Sequence, residues 1–172
     1  MNTYYGSPGA SPPSPENPEG IHQGIDLVAP AGTPVKAAAA GTVVDITTET
    51  KTERDGTVNT YANLLVEFDD RNVLNYHFEP SQSIAVTVGQ TVDSGDALGT
   101  LGDNRGMNVR GKVGTGTLDL GLLSEVEGSF ARVCYLSYTS PAFRQLLETW
   151  FSRAYTATAK HPGPCVCHYP DP

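Results

Sequence analysis

The chain is organised around the stretch His22-Gln23-Gly24-Ile25-Asp26, which places a histidine and an aspartate four residues apart. Imidazole and carboxylate groups are usual ligands of a catalytic zinc ion, which takes three protein ligands and leaves one position open for water. Gly24 lets the backbone bend, so that the two side chains converge. The pattern alone is weak, since a loop histidine and a turn aspartate are common, and its meaning depends on the residues that follow.

Those following residues are distinctive. Residues 27–35 read Leu-Val-Ala-Pro-Ala-Gly-Thr-Pro-Val, and the Pro-Ala-Gly-Thr-Pro segment is typical of a tight turn that enters a strand. The segments Ala37–Val44, Tyr76-His77 and Val88–Gly99 complete the pattern. Over roughly residues 20 to 123, the sequence resembles the lysostaphin-type (LytM-like) zinc metalloendopeptidases, which cut peptide cross-links in bacterial peptidoglycan.

The resemblance implies a set of site residues. The first motif of the family supplies two zinc ligands, which correspond to His22 and Asp26, and a catalytic histidine on a nearby strand corresponds to His77. A later His-x-His supplies a second catalytic histidine and then the third ligand. This sequence lacks a His-x-His, since its remaining histidines are His161 and His168, near the C-terminus.

The strand in the place of the His-x-His is Gly116-Thr117-Leu118-Asp119-Leu120. Thr117 stands where the family has a catalytic histidine, and Asp119 stands where it has the third ligand. Because side chains alternate along a strand, Thr117 and Asp119 share one face. Aspartate oxygen binds zinc, but a second carboxylate makes the ion less electrophilic and broadens metal choice toward manganese, magnesium or calcium. Thr117 cannot exchange protons near neutral pH.

Two functions follow from this departure. The missing histidines favour a non-catalytic domain that binds peptidoglycan or cell-wall peptides, or that regulates a cell-envelope protein. The alternative is a divergent endopeptidase that cleaves peptidoglycan cross-links, with His22, Asp26 and Asp119 holding zinc and His77 as the acid–base. The resemblance also implies an extracytoplasmic, secreted or cell-envelope setting, although no signal-peptide pattern opens the sequence.

Composition bounds the remaining possibilities. The chain has 172 residues, enough for one domain, and its 18 glycines and 13 prolines favour short strands over long helices. The formal net charge of -8 disfavours binding to nucleic-acid phosphates. No apolar run reaches the roughly 18 residues that a membrane-spanning helix needs.

The predicted fold is all-β, a mostly antiparallel small barrel or sandwich of the lysostaphin type with one C-terminal helix. We expect a Pro/Ser-rich linker over residues 1–19, the β domain over 20–139, a helix packed on it over 140–154, and a tail over 155–172. Ser140-Pro141 is a good helix start. The apolar stripe of the helix consists of Phe143, Leu146, Leu147, Trp150 and Phe151.

Two further patterns have alternative interpretations. The hairpin around Asp93-Ser94-Gly95 resembles biotinyl and lipoyl carrier domains, but its tip has no lysine to modify.

The odd number of cysteines allows one disulfide or three reduced thiols. A metal site in the tail is disfavoured because Cys-x-Cys is tight for structural zinc. The residues concerned are Cys134, His161, Cys165, Cys167 and His168.

Overall fold

The computed structural model describes residues 22, 24–53, 55–104, 113–126, 128–133 and 138–154. Within them lie ten strands and one helix. The elements are β1 (Ile25–Pro30), β2 (Pro34–Lys36), β3 (Gly41–Thr52), β4 (Val58–Asp69), β5 (Asn72–Glu79), β6 (Ser81–Ile84), β7 (Thr91–Val92), β8 (Ala97–Leu101), β9 (Thr115–Val126), β10 (Ser129–Val133) and α1 (Pro141–Ala154). The predicted linker, the three cysteines and the tail histidines lie outside the described residues.

Two antiparallel sheets form the domain. The larger sheet has the order β1-β9-β5-β4-β3-β7, and β10 also pairs with β9. The smaller sheet has the order β2-β8-β6. The predicted fold class, all-β and mostly antiparallel with one C-terminal helix, is confirmed. No helix among the described residues is long and apolar enough to cross a membrane.

Alternation along the central strands separates the core from the opposite face of the sheet. On β4, Leu64 and Val66 are fully buried, and on β5 so is Phe78. These side chains belong to one apolar cluster with residues of the smaller sheet such as Val35 and Leu98. Because successive side chains of a strand point to opposite faces, the odd-numbered residues of β5 are left for the other face, where the candidate site lies.

A second apolar cluster joins the helix to the sheet. Leu147 is fully buried with Ile25 of β1 and Leu122 of β9, and Phe143 packs against this group. Ser140 caps the helix, since its Oγ accepts a hydrogen bond from the backbone N–H of Phe143 at 3.2 Å. Leu146 differs from the predicted stripe, because it is 40% exposed on the flank of the helix.

A central residue and the first residue of β4 allow a matched stability test. Leu64→Ala should lower the free energy of unfolding by roughly 2–5 kcal/mol, because it empties a fully buried site. Val58→Ala on the same strand should change it by less than about 0.5 kcal/mol, because Val58 is 62% exposed. Urea unfolding followed by circular dichroism measures both. Equal losses for the two variants would contradict this placement of the core.

Candidate metal centre

The site is built on one row of residues that crosses three adjacent strands. Asp26 of β1 lies directly opposite Asp119 of β9, and Asp119 in turn lies opposite His77 of β5. Directly opposed residues in antiparallel strands have Cβ atoms about 4.5–5.5 Å apart, so the register alone brings these side chains together. The strand pairing therefore places two predicted ligands and the predicted catalytic histidine in a single line.

His22 joins this row from the segment before β1. Its side chain is buried, and Nδ1 lies 2.9 Å from the carbonyl oxygen of Gly24. Since a carbonyl only accepts hydrogen bonds, Nδ1 carries the proton and Nε2 is left as the ligand atom. Nε2 lies 3.2 Å from Asp26 Oδ1 and 3.9 Å from Asp119 Oδ2. A backbone partner of this kind commonly orients a metal-binding imidazole.

The three side chains fit a divalent cation. One ligand atom from each of His22, Asp26 and Asp119 lies within 4.8 Å of the other two. In a tetrahedral site with metal–ligand bonds of about 2.1 Å, neighbouring ligand atoms are about 3.4 Å apart. The distances from His22 Nε2 to the two carboxylates, 3.2 and 3.9 Å, are near this value. Asp119 Oδ1 is buried and has no hydrogen-bond partner among the described residues, as expected of an oxygen that coordinates a cation when one is bound.

Gly24 is needed for this arrangement. A Cβ atom added at this position would overlap the Asp119 carboxyl group and would also press on the backbone oxygen of Leu120. The absence of a side chain at residue 24 therefore lets Asp119 approach His22 closely. The sequence motif contains this glycine for packing as well as for backbone flexibility.

The charges of the site favour a bound cation. Burial raises the pKa of Asp119, His22 opposes the rise, and the nearby Asp26 carboxylate adds to it. Burial lowers the pKa of His22, but the Asp26 hydrogen bond and the charges of Asp119 and Asp26 outweigh it, so the pKa of His22 is raised overall. Without a metal, one imidazole must neutralise two buried carboxyl groups. A divalent ion would satisfy all three.

Glu79 is a site residue that the sequence analysis missed. It lies two residues after His77 on β5, hence on the same face, and its Oε1 lies 3.4 Å from His77 Nδ1. In the next row of the sheet, Glu79 lies opposite Thr117. Burial raises the pKa of Glu79 to about 7, and the charges of Asp26 and Asp119 contribute to the rise. The alternation rule applied from His77 would have found it.

The predicted catalytic residue His77 is partly buried beside the ligands. Burial lowers its pKa, and the Asp119 charge partly offsets this effect. The ring of Tyr61 lies 6.5 Å from the His77 ring, centroid to centroid, and Lys51 Nζ lies 4.8 Å from the centre of the Tyr61 ring. These two residues extend the same face of the sheet toward β3 and β4.

A polar network borders the row on its other side. The guanidinium of Arg132 on β10 donates to Asn75 Oδ1, and Asn75 Nδ2 donates to Asn63 Oδ1. Asn63 lies opposite His77, and Asn75 is two residues before it. The positive charge of Arg132 lowers the pKa of both His77 and Asp119. The sequence did not identify this network, because Arg132 is far from the motifs along the chain.

The family model described as Peptidase family M23 matches residues 20–116. The chain belongs to Peptidase family M23. The resemblance to the lysostaphin-type family found in the sequence is thereby confirmed. No curated protein matches the chain.

Several solved structures are similar to this domain. A mutant of the catalytic domain of the prophage-encoded M23 protein EnpA from Enterococcus faecalis is 20% identical, with a TM-score of 0.49, over 76% of this chain and 85% of that chain. The catalytic domain of the antimicrobial peptidase lysostaphin from Staphylococcus simulans is 24% identical, with a TM-score of 0.47, over 78% and 87%. A zinc-containing peptidase from Vibrio cholerae is 20% identical, with a TM-score of 0.46, over 76% and 35%.

Substitution of Asp119 should affect metal binding and protein stability differently. Asp119→Asn should weaken binding of zinc by at least about tenfold, because it removes one anionic ligand. The metal-free variant should be as stable as the parent or more stable near pH 7, because an acid with a raised pKa resists ionisation in the folded state. Titration calorimetry and thermal unfolding without metal measure the two effects. Loss of stability with unchanged metal affinity would contradict the assignment.

The pKa of Glu79 predicts a pH dependence of stability. The group ionises near pH 4.5 when unperturbed and near pH 7 in the folded protein. The folded state therefore binds more protons between these values, and stability should fall as the pH rises through this window. Glu79→Gln should remove that part of the pH dependence. Urea unfolding of metal-free protein at several pH values measures it, with Glu148→Gln on the exposed face of α1 as the control.

Proposed function

We propose that this domain is a divalent-metal-dependent endopeptidase that acts on the peptide cross-links of bacterial peptidoglycan. The observation that carries the proposal is the convergence of the His22, Asp26 and Asp119 ligand atoms within 4.8 Å, in the same row as His77. Membership of Peptidase family M23 supports the choice of substrate. An extracytoplasmic or cell-envelope setting follows from that substrate.

The roles divide between two groups of side chains. His22, Asp26 and Asp119 would hold the metal, with zinc as the expected ion. When bound, such an ion polarises a peptide carbonyl and lowers the pKa of water, which makes hydrolysis feasible near neutral pH. His77 would exchange the protons, because its lowered pKa keeps the imidazole neutral and able to accept one.

Electrostatics supports retention of a metal despite the replaced ligand. Asp26 is buried with His22, and the Asp119 side chain beside them is 18% exposed. Two carboxylates in such a place repel each other, and burying them without a cation is unfavourable. The second carboxylate also makes the bound ion less electrophilic, so we expect slower turnover than a site with two histidine ligands and one aspartate would give.

A second function is favoured by one specific observation. Thr117 occupies the row next to the ligands, opposite Glu79, and its Oγ1 accepts a hydrogen bond of 3.4 Å from Asn104 Nδ2. A threonine cannot act as a proton donor or acceptor in catalysis near neutral pH, so the acid–base machinery here is reduced. A non-catalytic domain that binds peptidoglycan, or a partner protein of the cell envelope, is the function expected if hydrolysis does not occur.

Metal content and cleavage test the proposal together. Protein purified without chelator should contain about one zinc ion per chain by mass spectrometry, and His22→Ala should lose it. Purified peptidoglycan should be cleaved by the parent, with loss of activity in His22→Ala and after chelation, and recovery when zinc is restored. Thr50→Ala, on an exposed stretch of β3, is the control for both measurements.

The outcomes separate the two functions. Retention on purified sacculi without cleavage, under zinc, manganese, magnesium or calcium, would reject the peptidase and support the binding domain. Absence of cleavage, together with no retention on sacculi or on cell-envelope proteins, would reject both. Cleavage that survives in the His22→Ala variant would reject the metal site as the source of activity.

A further inference from the structure

We propose that Glu79 positions His77. Its carboxylate holds the proton of the neutral imidazole on Nδ1, so that Nε2 is the proton acceptor. This inference deepens the proposed function, since it assigns the orientation of the side chain that would exchange protons. It concerns a contact inside the protein, however, and can be tested whether or not the domain cleaves peptide.

The geometry of β5 carries the inference. His77 and Glu79 are two residues apart on one strand, so both side chains point to the same face. His77 Nδ1 lies 3.4 Å from Glu79 Oε1, and the two side chains are 34% and 30% exposed. Among the described residues, Glu79 is the acceptor that faces this nitrogen. The Tyr61 ring on the neighbouring strand lies beside the imidazole, tilted by 45° to it.

The chemistry of imidazole gives this contact a consequence. A neutral histidine has one N–H, and the partner of one nitrogen decides which nitrogen keeps the proton. A carboxylate beside Nδ1 favours the proton there, so the lone pair is placed on Nε2. The opposite tautomer would leave Nε2 as a donor that cannot take a proton from water.

The surroundings of Glu79 define the conditions under which it can act. Besides His77 on its own strand, the charged groups that influence it are Asp26, Asp119, His22 and Lys51. Tyr61 of β4 is the further titratable group near it, and the charge of Glu79 contributes to a raised pKa of that phenol. Lys51 and His22 stabilise the Glu79 carboxylate, and a cation bound among the three ligands would do so more strongly.

The proton balance during hydrolysis follows directly. Water adds through oxygen to the peptide carbonyl carbon and gives its proton to His77 Nε2. The C–N bond then breaks, and the same proton passes from Nε2 to the leaving nitrogen. The Glu79 carboxylate stabilises the imidazolium that exists between the two transfers, as a carboxylate does for histidine in other hydrolases.

The first experiment measures the tautomer of His77 in the full chain. Long-range proton–nitrogen correlation spectra of labelled protein, with and without zinc, distinguish the two tautomers at about pH 8.5, where the Glu79 carboxyl is ionised. The parent should show Nδ1 protonated, and Glu79→Ala should shift the population to Nε2–H. Glu148→Ala, which removes an exposed acid from α1, should leave the spectrum unchanged.

Two results would overturn the inference: a parent protein with the proton on Nε2, or a Glu79→Ala variant that keeps it on Nδ1. If Glu79→Ala does not fold, Glu79→Gln replaces it, since an amide both donates and accepts. The Nδ1–H fraction must then fall in Glu79→Gln.

Measurement of kcat distinguishes a failure of the Glu79 role from a failure of the proposed peptidase activity. If the parent cleaves peptidoglycan, Glu79→Ala should lower kcat by about tenfold to a hundredfold, a part of the usual acid–base contribution, with KM and zinc content unchanged. Glu79→Asp should recover part of the loss, and an unchanged kcat in Glu79→Ala would overturn the role. If the parent does not cleave but holds the proton on Nδ1, the peptidase is rejected and the positioning of His77 by Glu79 is supported.

Discussion

The antiparallel register of β1, β9 and β5 is the constraint on which the site depends. It places Asp26, Asp119 and His77 in one row, although they are widely separated along the chain. A shift of β9 by one residue would turn Asp119 toward the apolar core and Leu118 toward the site. The buried leucines on the other face of β9 oppose such a shift, so core packing and site geometry are maintained by the same strand pairing.

The second controlling feature is the concentration of acidic groups on one face of the sheet. Asp26, Asp119 and Glu79 lie together with His22 and His77, and the pKa values of Asp119 and Glu79 are raised. Isolated burial of these groups would be unfavourable. Binding of a divalent ion at the proposed site would relieve the repulsion, and it would then add to the stability of the folded domain.

Thr117 and Asp119, which stand in the positions of the two histidines of the family motif, differ in what they can still do. Asp119 keeps the capacity to bind a metal, because it offers oxygen within reach of His22 and Asp26. Thr117 loses proton exchange, and the nearest group that can still exchange a proton in that row is Glu79. One carboxyl group, that of Asp119, therefore lies among the proposed ligands, and another, that of Glu79, lies beside the His77 imidazole.

Much of the fold and of the ligand set could be predicted from the sequence, because His22 and Asp26 are close along the chain and strand alternation marks Thr117 and Asp119 as neighbours on one face. Glu79 was missed although strand alternation from His77 indicates it, and Arg132 was missed because it is far along the chain from every motif. The sequence by itself determined the family, the strand-rich fold and the kinds of ligand available. Only the tertiary structure decided which carboxylates meet and which nitrogen of His77 faces Glu79, because strand register and burial set those distances and charges.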